Sequence, residues 1–269
     1  MPRAYINGLN LHYEVSGVGS SMVLCHGYTG SHQSWMLQIP VFSQNYQVVT
    51  MDQRGHGSSD APSSADAYSI PTFASDVHNL LEYLGITKCC LVGHSMGGFT
   101  VLQFALDYPD VVSSLVLVDT SSGGFDIPEY AELRARLNEI ARSDGMEAAF
   151  EYNAQYHPLV QRRFERYPEL REISKRRMLE TSVDGYIYAG RAISQWQGVT
   201  ARLGEISVPT LVVIGEKDVA FRQPSEVLAK GMPNTRLHVV PQATHTPQEE
   251  TPEALNALLI RFLAEVDVR

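Results

Sequence analysis

Cysteine is scarce in this chain: three in 269 residues, Cys25, Cys89 and Cys90, each inside an apolar, strand-like run. An odd number with no metal-ligand spacing excludes a disulfide framework and a cysteine-based metal site, leaving buried, reduced thiols. Long apolar runs are missing too. No stretch approaches the roughly 20 residues of a membrane span, and Met1-Pro2-Arg3-Ala4-Tyr5 opens without the apolar core of a secretory leader. A cytoplasmic location without membrane insertion is the expectation. Positive charge is in deficit, 21 Lys and Arg against 30 Asp and Glu, for a net charge of −9. Such a surface repels phosphates, so no nucleic-acid partner is expected. Internal repeats, low-complexity tracts and flexible linkers are also absent from the sequence.

What is present is globular: 44% hydrophobic and 19% charged residues, in a chain long enough for a large core. Short apolar runs bounded by loops (Ser21–Cys25, Gln47–Met51, Cys89–Val92, Leu115–Asp119, Thr210–Ile214) suit strands buried on both faces of a parallel sheet. Leu9–Val15 and Arg236–Val240 alternate. The first two short strands are candidates for an antiparallel edge. Val77, Leu80, Leu81 and Leu84 share a helical face that Gly85 stops, and Leu255, Leu258, Leu259, Phe262 and Leu263 form a last amphipathic helix entered at Pro252. Strands alternating with helices imply an α/β domain with a mainly parallel sheet.

Residues 121–203 break that rhythm. They show no convincing strand, dense aromatics, and helical patterns at Arg134–Ala141, Met146–Tyr156 and Pro168–Glu180. Charge marks the same segment: residues 129–180 hold ten basic and ten acidic residues, so the whole negative excess lies elsewhere. A helical lid inserted into a core of residues 1–120 and 204–269 is expected, because structureless loops of such length are uncommon.

Gly93-His94-Ser95-Met96-Gly97 lies between the apolar run Cys89–Val92 and the helix-like run Gly98–Leu106. Strand, G-x-S-x-G, helix is the context of a nucleophile elbow, where a tight turn lifts one serine hydroxyl above the sheet end and a helix N-terminus faces it. A serine hydroxyl needs a neutral imidazole to take its proton, and a carboxylate to fix that imidazole's tautomer. In the chain order serine, acid, histidine, two acids end apolar strands: Asp218, which is favoured, and Asp119, the alternative. Only His238 and His245 follow Asp218. His238 is inside a strand, where its ring is held in the sheet, whereas His245 is in a loop that brings a ring over the strand ends, so His245 is the expected base. His12, His32, His78 and His157 are expected to be solvated or satisfied polar groups. Two backbone N–H groups are needed for an oxyanion hole: that of Met96, and that of Tyr28 in His26-Gly27-Tyr28-Thr29-Gly30, where Gly27 permits close approach. His26 is expected to be structural.

With these pieces in order, His26-Gly27, Asp52-Gln53-Arg54-Gly55-His56-Gly57-Ser58-Ser59, Gly93–Gly98, Ile214-Gly215-Glu216-Lys217-Asp218 and His245, the chain resembles the α/β-hydrolase superfamily over nearly its whole length. The resemblance implies the α/β-hydrolase fold: a mainly parallel eight-stranded sheet flanked by helices, with a helical lid. It implies Ser95 as nucleophile, Asp218 as acid and His245 as base, and structural roles for Arg54 and His56. One departure is Thr244, where a glycine often precedes the histidine. Serine at position 95 separates the chain from relatives with an aspartate nucleophile, the epoxide hydrolases and haloalkane dehalogenases. It resembles instead the acyl-transfer branch of esterases and lactonases.

A carboxylic-ester or lactone hydrolase acting on a small molecule is therefore expected, with no metal and no organic cofactor; a homodimer is admitted. The loop His26–Ser31 also resembles that of enzymes making a menaquinone precursor by pyruvate elimination with the same triad. It does not resemble the longer loop of ring-cleavage C–C hydrolases. A non-enzymatic alternative is a ligand-binding receptor, for which this fold also serves. The basic run Arg162–Arg177 reads as a solvated helix face with pairs such as Glu172–Arg176, or, as a rival, as a means of steering a carboxylate-bearing substrate.

Overall fold

A computed structural model describes residues 2–123 and 130–267. Its strands are β1 (Arg3–Ile6), β2 (Leu9–Ser16), β3 (Ser20–Cys25), β4 (Tyr46–Met51), β5 (Cys89–His94), β6 (Val112–Val118), β7 (Thr210–Gly215) and β8 (Thr235–Val240). They form one eight-stranded sheet in the order β1-β2-β4-β3-β5-β6-β7-β8. From β4 across to β8 every pairing is parallel. The carboxyl ends of six strands therefore open onto one side of the sheet.

The antiparallel edge differs from the expectation. It is made by β1 on β2 and β2 on β4, while β3, expected near that edge, lies in the middle of the sheet between β4 and β5. β1 buries only Ala4 and Ile6 and so has no apolar run to betray it. The signal that marks it is Asn7-Gly8, with φ of 51° and 81°, a two-residue turn that both residues enter in the left-handed region.

Period-two alternation sorts the strand residues onto two cores. The helices are α1 (Ile39–Phe42), α2 (Ile70–Tyr83), α3 (Met96–Asp107), α4 (Ala131–Ser143), α5 (Gly145–Tyr156), α6 (Pro158–Arg166), α7 (Leu170–Leu179), α8 (Val183–Gln195), α9 (Arg222–Gly231), α10 (Pro247–Glu250) and α11 (Pro252–Asp267). Val23, Leu91, Leu115 and Val212 meet Phe73 and Leu80 of α2, Phe99 and Phe104 of α3 and Leu228 of α9. Met22, Val92, Val116 and Val213, one residue out of step, meet Phe42 of α1 and Leu255, Leu259 and Phe262 of α11. Ser69 caps α2, its hydroxyl accepting from the Thr72 N–H at 3.1 Å, and Gly85 with φ of 69° follows its end.

Between β6 and β7 the chain forms α4–α8, which share an apolar cluster of their own built on Leu137, Ile140, Phe150, Met178 and Tyr186. Residues 124–129, within the segment expected to form the lid, lie outside the described residues.

Candidate active site

Ser95 joins the end of β5 to the start of α3 with φ 51° and ψ −116°. A non-glycine residue in this region carries strain of order 1–3 kcal/mol, so the surroundings must impose it. They do so from three sides. The Ser95 N–H donates to the Val118 carbonyl at 3.0 Å, and the Ser95 carbonyl accepts from the Gly98 N–H and the Thr120 hydroxyl, both at 2.8 Å. The flanking glycines are obligatory: a Cβ at Gly93 would sit 2.4 Å from the Gly97 carbonyl oxygen, and one at Gly97 would sit 2.2 Å from that of Cys25.

Asp218, three residues past β7, and His245, in the loop after β8, are brought together. The His245 Nδ1 is 2.6 Å from Asp218 Oδ2. A carboxylate accepts, so Nδ1 carries the hydrogen and Nε2 keeps its lone pair. Phe221 stacks on the His245 ring at 4.8 Å between centroids, and His94 lies at 5.0 Å on a tilt. His94 Nε2 donates to the His245 carbonyl at 2.7 Å, which ties the residue before Ser95 directly to the His245 loop. Burial above all, then the neighbouring His245, pushes the His94 pKa well below the usual histidine value, so this ring is a neutral strut.

Asp119, at the end of β6, is fully buried with φ 43°. Its Oδ1 accepts from the Gly215 N–H at 2.9 Å, and its side chain faces Asp218. One donor atom each of Asp119, Asp218 and His245 falls within 4.8 Å of the others. Burial and the negative Asp218 push Asp119 well above the usual carboxylate range. Burial pushes Asp218 up as well, yet the His245 imidazole, Asp119 and the Phe221 N–H hold it below its ordinary value. The neutral form is thus favoured at Asp119 and the charged form at Asp218, while Asp119 Oδ2 is buried without a hydrogen-bond partner.

The loop after β3 packs on this turn: a Cβ at Gly27 would meet the Ser95 Cβ at 3.2 Å and His94 Nδ1 at 2.7 Å. Among the described residues, neither the Tyr28 nor the Met96 N–H is spent on another protein group. The Tyr28 side chain reaches up to α8, donating its hydroxyl to the Tyr186 carbonyl at 2.6 Å and stacking on that ring at 5.3 Å. His26 is structural as expected: its Nδ1–H donates to the Gly27 carbonyl at 2.7 Å and its Nε2 accepts from the Gln53 N–H at 3.0 Å. Arg54 grips Asp76 of α2 with two 2.6 Å bonds, and the His56 ring bonds the Arg54 carbonyl at 3.1 Å. Burial lowers the His56 pKa to about 3, so that ring too stays neutral.

His238 lies in the sheet as expected, opposite Val213 on the edge strand β8, and is exposed. One expectation needs correction. The basic run is only in part a solvated face: Arg162, Arg166 and Arg176 are exposed, the others are not. Arg163 and Arg177 turn inward to Glu249 and Glu250 of α10, next to the His245 loop, and Arg177 also bonds the Ser34 hydroxyl at 2.8 Å. Arg171 and Lys175 pair with Glu151 of α5, and Glu172 pairs with Arg171 rather than Arg176. Clusters spaced for i,i+4 pairs are legible along a sequence; partners on α5 and α10 are not.

A family model described as alpha/beta hydrolase fold matches residues 21–252. The putative 2-succinyl-6-hydroxy-2,4-cyclohexadiene-1-carboxylate synthase of Bacillus subtilis (strain 168) is 31% identical over 265 residues, covering 95% of this chain and 96% of that protein. Among solved structures, a thermophilic esterase from Thermogutta terrifontis superposes with a TM-score of 0.86 at 29% identity, over 96% of this chain and 94% of its own. The enol-lactonase from Burkholderia xenovorans LB400 gives 0.87 at 26% identity, over 98% and 100%. Together with the sheet order and the strained serine between β5 and α3, the match across most of the sequence shows that the chain belongs to the α/β-hydrolase family.

Proposed function

We propose that the protein is a serine hydrolase that cleaves a carboxylic ester or lactone of a small molecule through an acyl-enzyme. Ser95 attacks the acyl carbonyl while His245 Nε2 takes its proton, and Asp218 stabilises the imidazolium that forms. The Tyr28 and Met96 N–H groups, the latter at the positive end of α3, bind the oxyanion. His245 then protonates the leaving alkoxide, activates a water, and the acyl group leaves as the carboxylate. Helices α4–α8 act as the lid, and their apolar inner side selects the acyl or alcohol part. The observation that carries this reading is the 2.6 Å bond from His245 to Asp218 beside a serine held at φ 51°.

A second reading is favoured by the Bacillus relative, whose name describes a carboxylate synthase. In it, the same Ser95 and His245 would drive elimination of pyruvate from a carboxylate-bearing substrate. Against it, Arg163, Arg171, Lys175 and Arg177 are already paired with glutamates.

The test is turnover of p-nitrophenyl esters of graded chain length and of several lactones by wild type and Ser95→Ala. Wild type should hydrolyse at least one class, and the variant should lose about 10⁴-fold or more in kcat. Equal rates in the two proteins would overturn the proposal. Pyruvate release without ester or lactone turnover would replace it with the second reading.

A further inference from the structure

His12 and Glu14 lie two residues apart on β2, so both project to the same face of the strand. His32 opens the short helical turn that follows the Tyr28 loop. One donor atom from each of the three lies within 4.8 Å of the others, and Glu14 Oε1 is 3.8 Å from His12 Nε2 and 3.7 Å from His32 Nε2. These separations are too long for hydrogen bonds. The two rings meet edge to face at 4.6 Å.

Each ring is oriented from behind. His12 Nδ1 is 3.1 Å from the Pro2 carbonyl, and His32 Nδ1 is 2.8 Å from Asp52 Oδ1, which also accepts the His32 N–H at 2.6 Å. A carbonyl and a carboxylate can only accept, so each Nδ1 carries a hydrogen, and Nε2 is the ring atom left on the Glu14 side, from which a metal would displace any proton. His12 is completely buried, and its Nε2 has no hydrogen-bond partner. A buried imidazole nitrogen left unpaired is costly, and nothing in the reaction proposed above uses it. Imidazoles whose far N–H is held by a carbonyl or carboxylate are the usual form of metal-ligating histidine.

We propose that His12, Glu14 and His32 form a zinc site, with Nε2 of each ring and one Glu14 oxygen as ligands and water in the fourth position. Two imidazoles and one carboxylate suit Zn²⁺ better than Mg²⁺ or Ca²⁺, which prefer all-oxygen shells. Tetrahedral bonds of about 2.0–2.1 Å place ligand atoms about 3.4 Å apart. The two Glu14 edges, at 3.7–3.8 Å, need closure of a few tenths of an ångström, and the donor atoms of the two rings lie within 4.8 Å of each other. The Glu14 side chain is 40% exposed, which gives the ion a way in. The ion would clamp β2 to the segment behind the Tyr28 loop, so its effect is on stability. Cysteine spacing gave no hint of this site because its ligands converge only when β2 folds beside the His32 turn.

The experiment uses the full chain stripped with EDTA, with ZnCl₂ added in calorimetry and thermal unfolding. Wild type should bind one equivalent, and Tm should rise about 5–10 °C at a hundredfold excess over Kd. Glu14→Gln, a nearly isosteric change on a partly exposed side chain, should weaken binding tenfold or more while leaving the metal-free Tm unchanged. His32→Gln should do the same for binding; if it does not fold, Glu14→Gln decides alone. His245→Ala, which removes the other three-ligand cluster with Asp119 and Asp218, should keep the binding. Cobalt in place of zinc should give the intense visible bands of tetrahedral coordination in wild type and not in Glu14→Gln. Absence of saturable binding, a Kd weaker than about 100 μM, equal affinity in Glu14→Gln, or loss of binding in His245→Ala would each overturn the proposal.

Discussion

The ends of β6 and β7 carry the same side chain in two electrical states. Asp119 and Asp218 are both buried, both at carboxyl ends of neighbouring parallel strands, and close enough to interact. Asp218 also faces the His245 ring and accepts from the Phe221 N–H at 3.4 Å, so negative charge is stabilised there. Asp119 has a single backbone donor, Gly215, and a charged neighbour of its own sign. Where two carboxyls interact in a dry site, each disfavours ionisation of the other, and the one with more donors is favoured to keep its charge. Residue type alone did not separate the two candidates in the sequence. Their partners do.

The largest effect that sharpens this contrast is on catalysis. If the protein is the proposed ester hydrolase, Asp218→Asn should lower kcat for its preferred ester about 10⁴-fold, because an amide facing His245 Nδ1 favours the wrong tautomer. KM should stay within about twofold, since the carboxylate stabilises charge that appears only in the transition state. Steady-state kinetics on purified protein measure both. A tenfold loss or less would mean that the charge is supplied from elsewhere, Asp119 and Glu250 being the carboxyls nearest the His245 loop that could do so.

Stability against pH gives the next contrast, and its sign differs at the two positions. Asp119 is raised in the folded state, whereas in the unfolded chain it ionises near about 3.9. Above that pH the unfolded chain gives up a proton that the folded one keeps, so this group lowers stability as pH rises towards its folded value. Asp218 is depressed when folded; its contribution is present above about 3.9 and is lost as pH falls through the folded value. Asp119→Asn removes the first slope. Its Tm relative to wild type should therefore climb in thermal scans as pH rises above about 4, and a flat difference would show Asp119 ionised in the native protein. In kinetics the same variant, which keeps a neutral side chain of the same shape, should lose less than about tenfold in kcat at pH 7.

How far the sequence reveals such a site depends on whether its geometry is local. Gly93 to Gly97 was legible because one sharp turn demands small residues beside the serine, and no distant group is needed to see it. Asp218 and His245 were legible as residues just beyond apolar strands, where side chains of a parallel sheet converge. The parallel core was likewise visible in the runs that became β3 to β7. β1 was not, since two buried side chains make no run. Nor was the opposite electrostatic bias of Asp119 and Asp218, the strut from His94 to the carbonyl of His245 151 residues on, or the inward turn of Arg163 and Arg177. Each depends on which elements become neighbours, and charge periodicity along one helix carries no information about a glutamate on another.

The smallest effect probes the β7 side from its far edge, at the residue that departs from the family pattern. Thr244 replaces the glycine that often precedes the histidine, and its hydroxyl donates to Glu250 Oε1 at 2.5 Å while its N–H donates to Oε2. Glu250 is anchored in turn by the Thr246 hydroxyl at 2.8 Å and by Arg163. Thr244 thus tethers the His245 loop to a buried carboxylate that is also held by α6. Thr244→Val keeps the shape and drops one hydrogen bond to a charged group, at a cost of about 1.5–3 kcal/mol in denaturant unfolding. Thr244→Gly should cost somewhat more, because glycine also frees the unfolded backbone. Neither should lower kcat more than a few-fold, since Asp218 and Phe221 still hold the ring. A loss in Thr244→Val that approaches that of Asp218→Asn would mean that the tether, rather than the carboxylate at the end of β7, sets the position of the His245 ring.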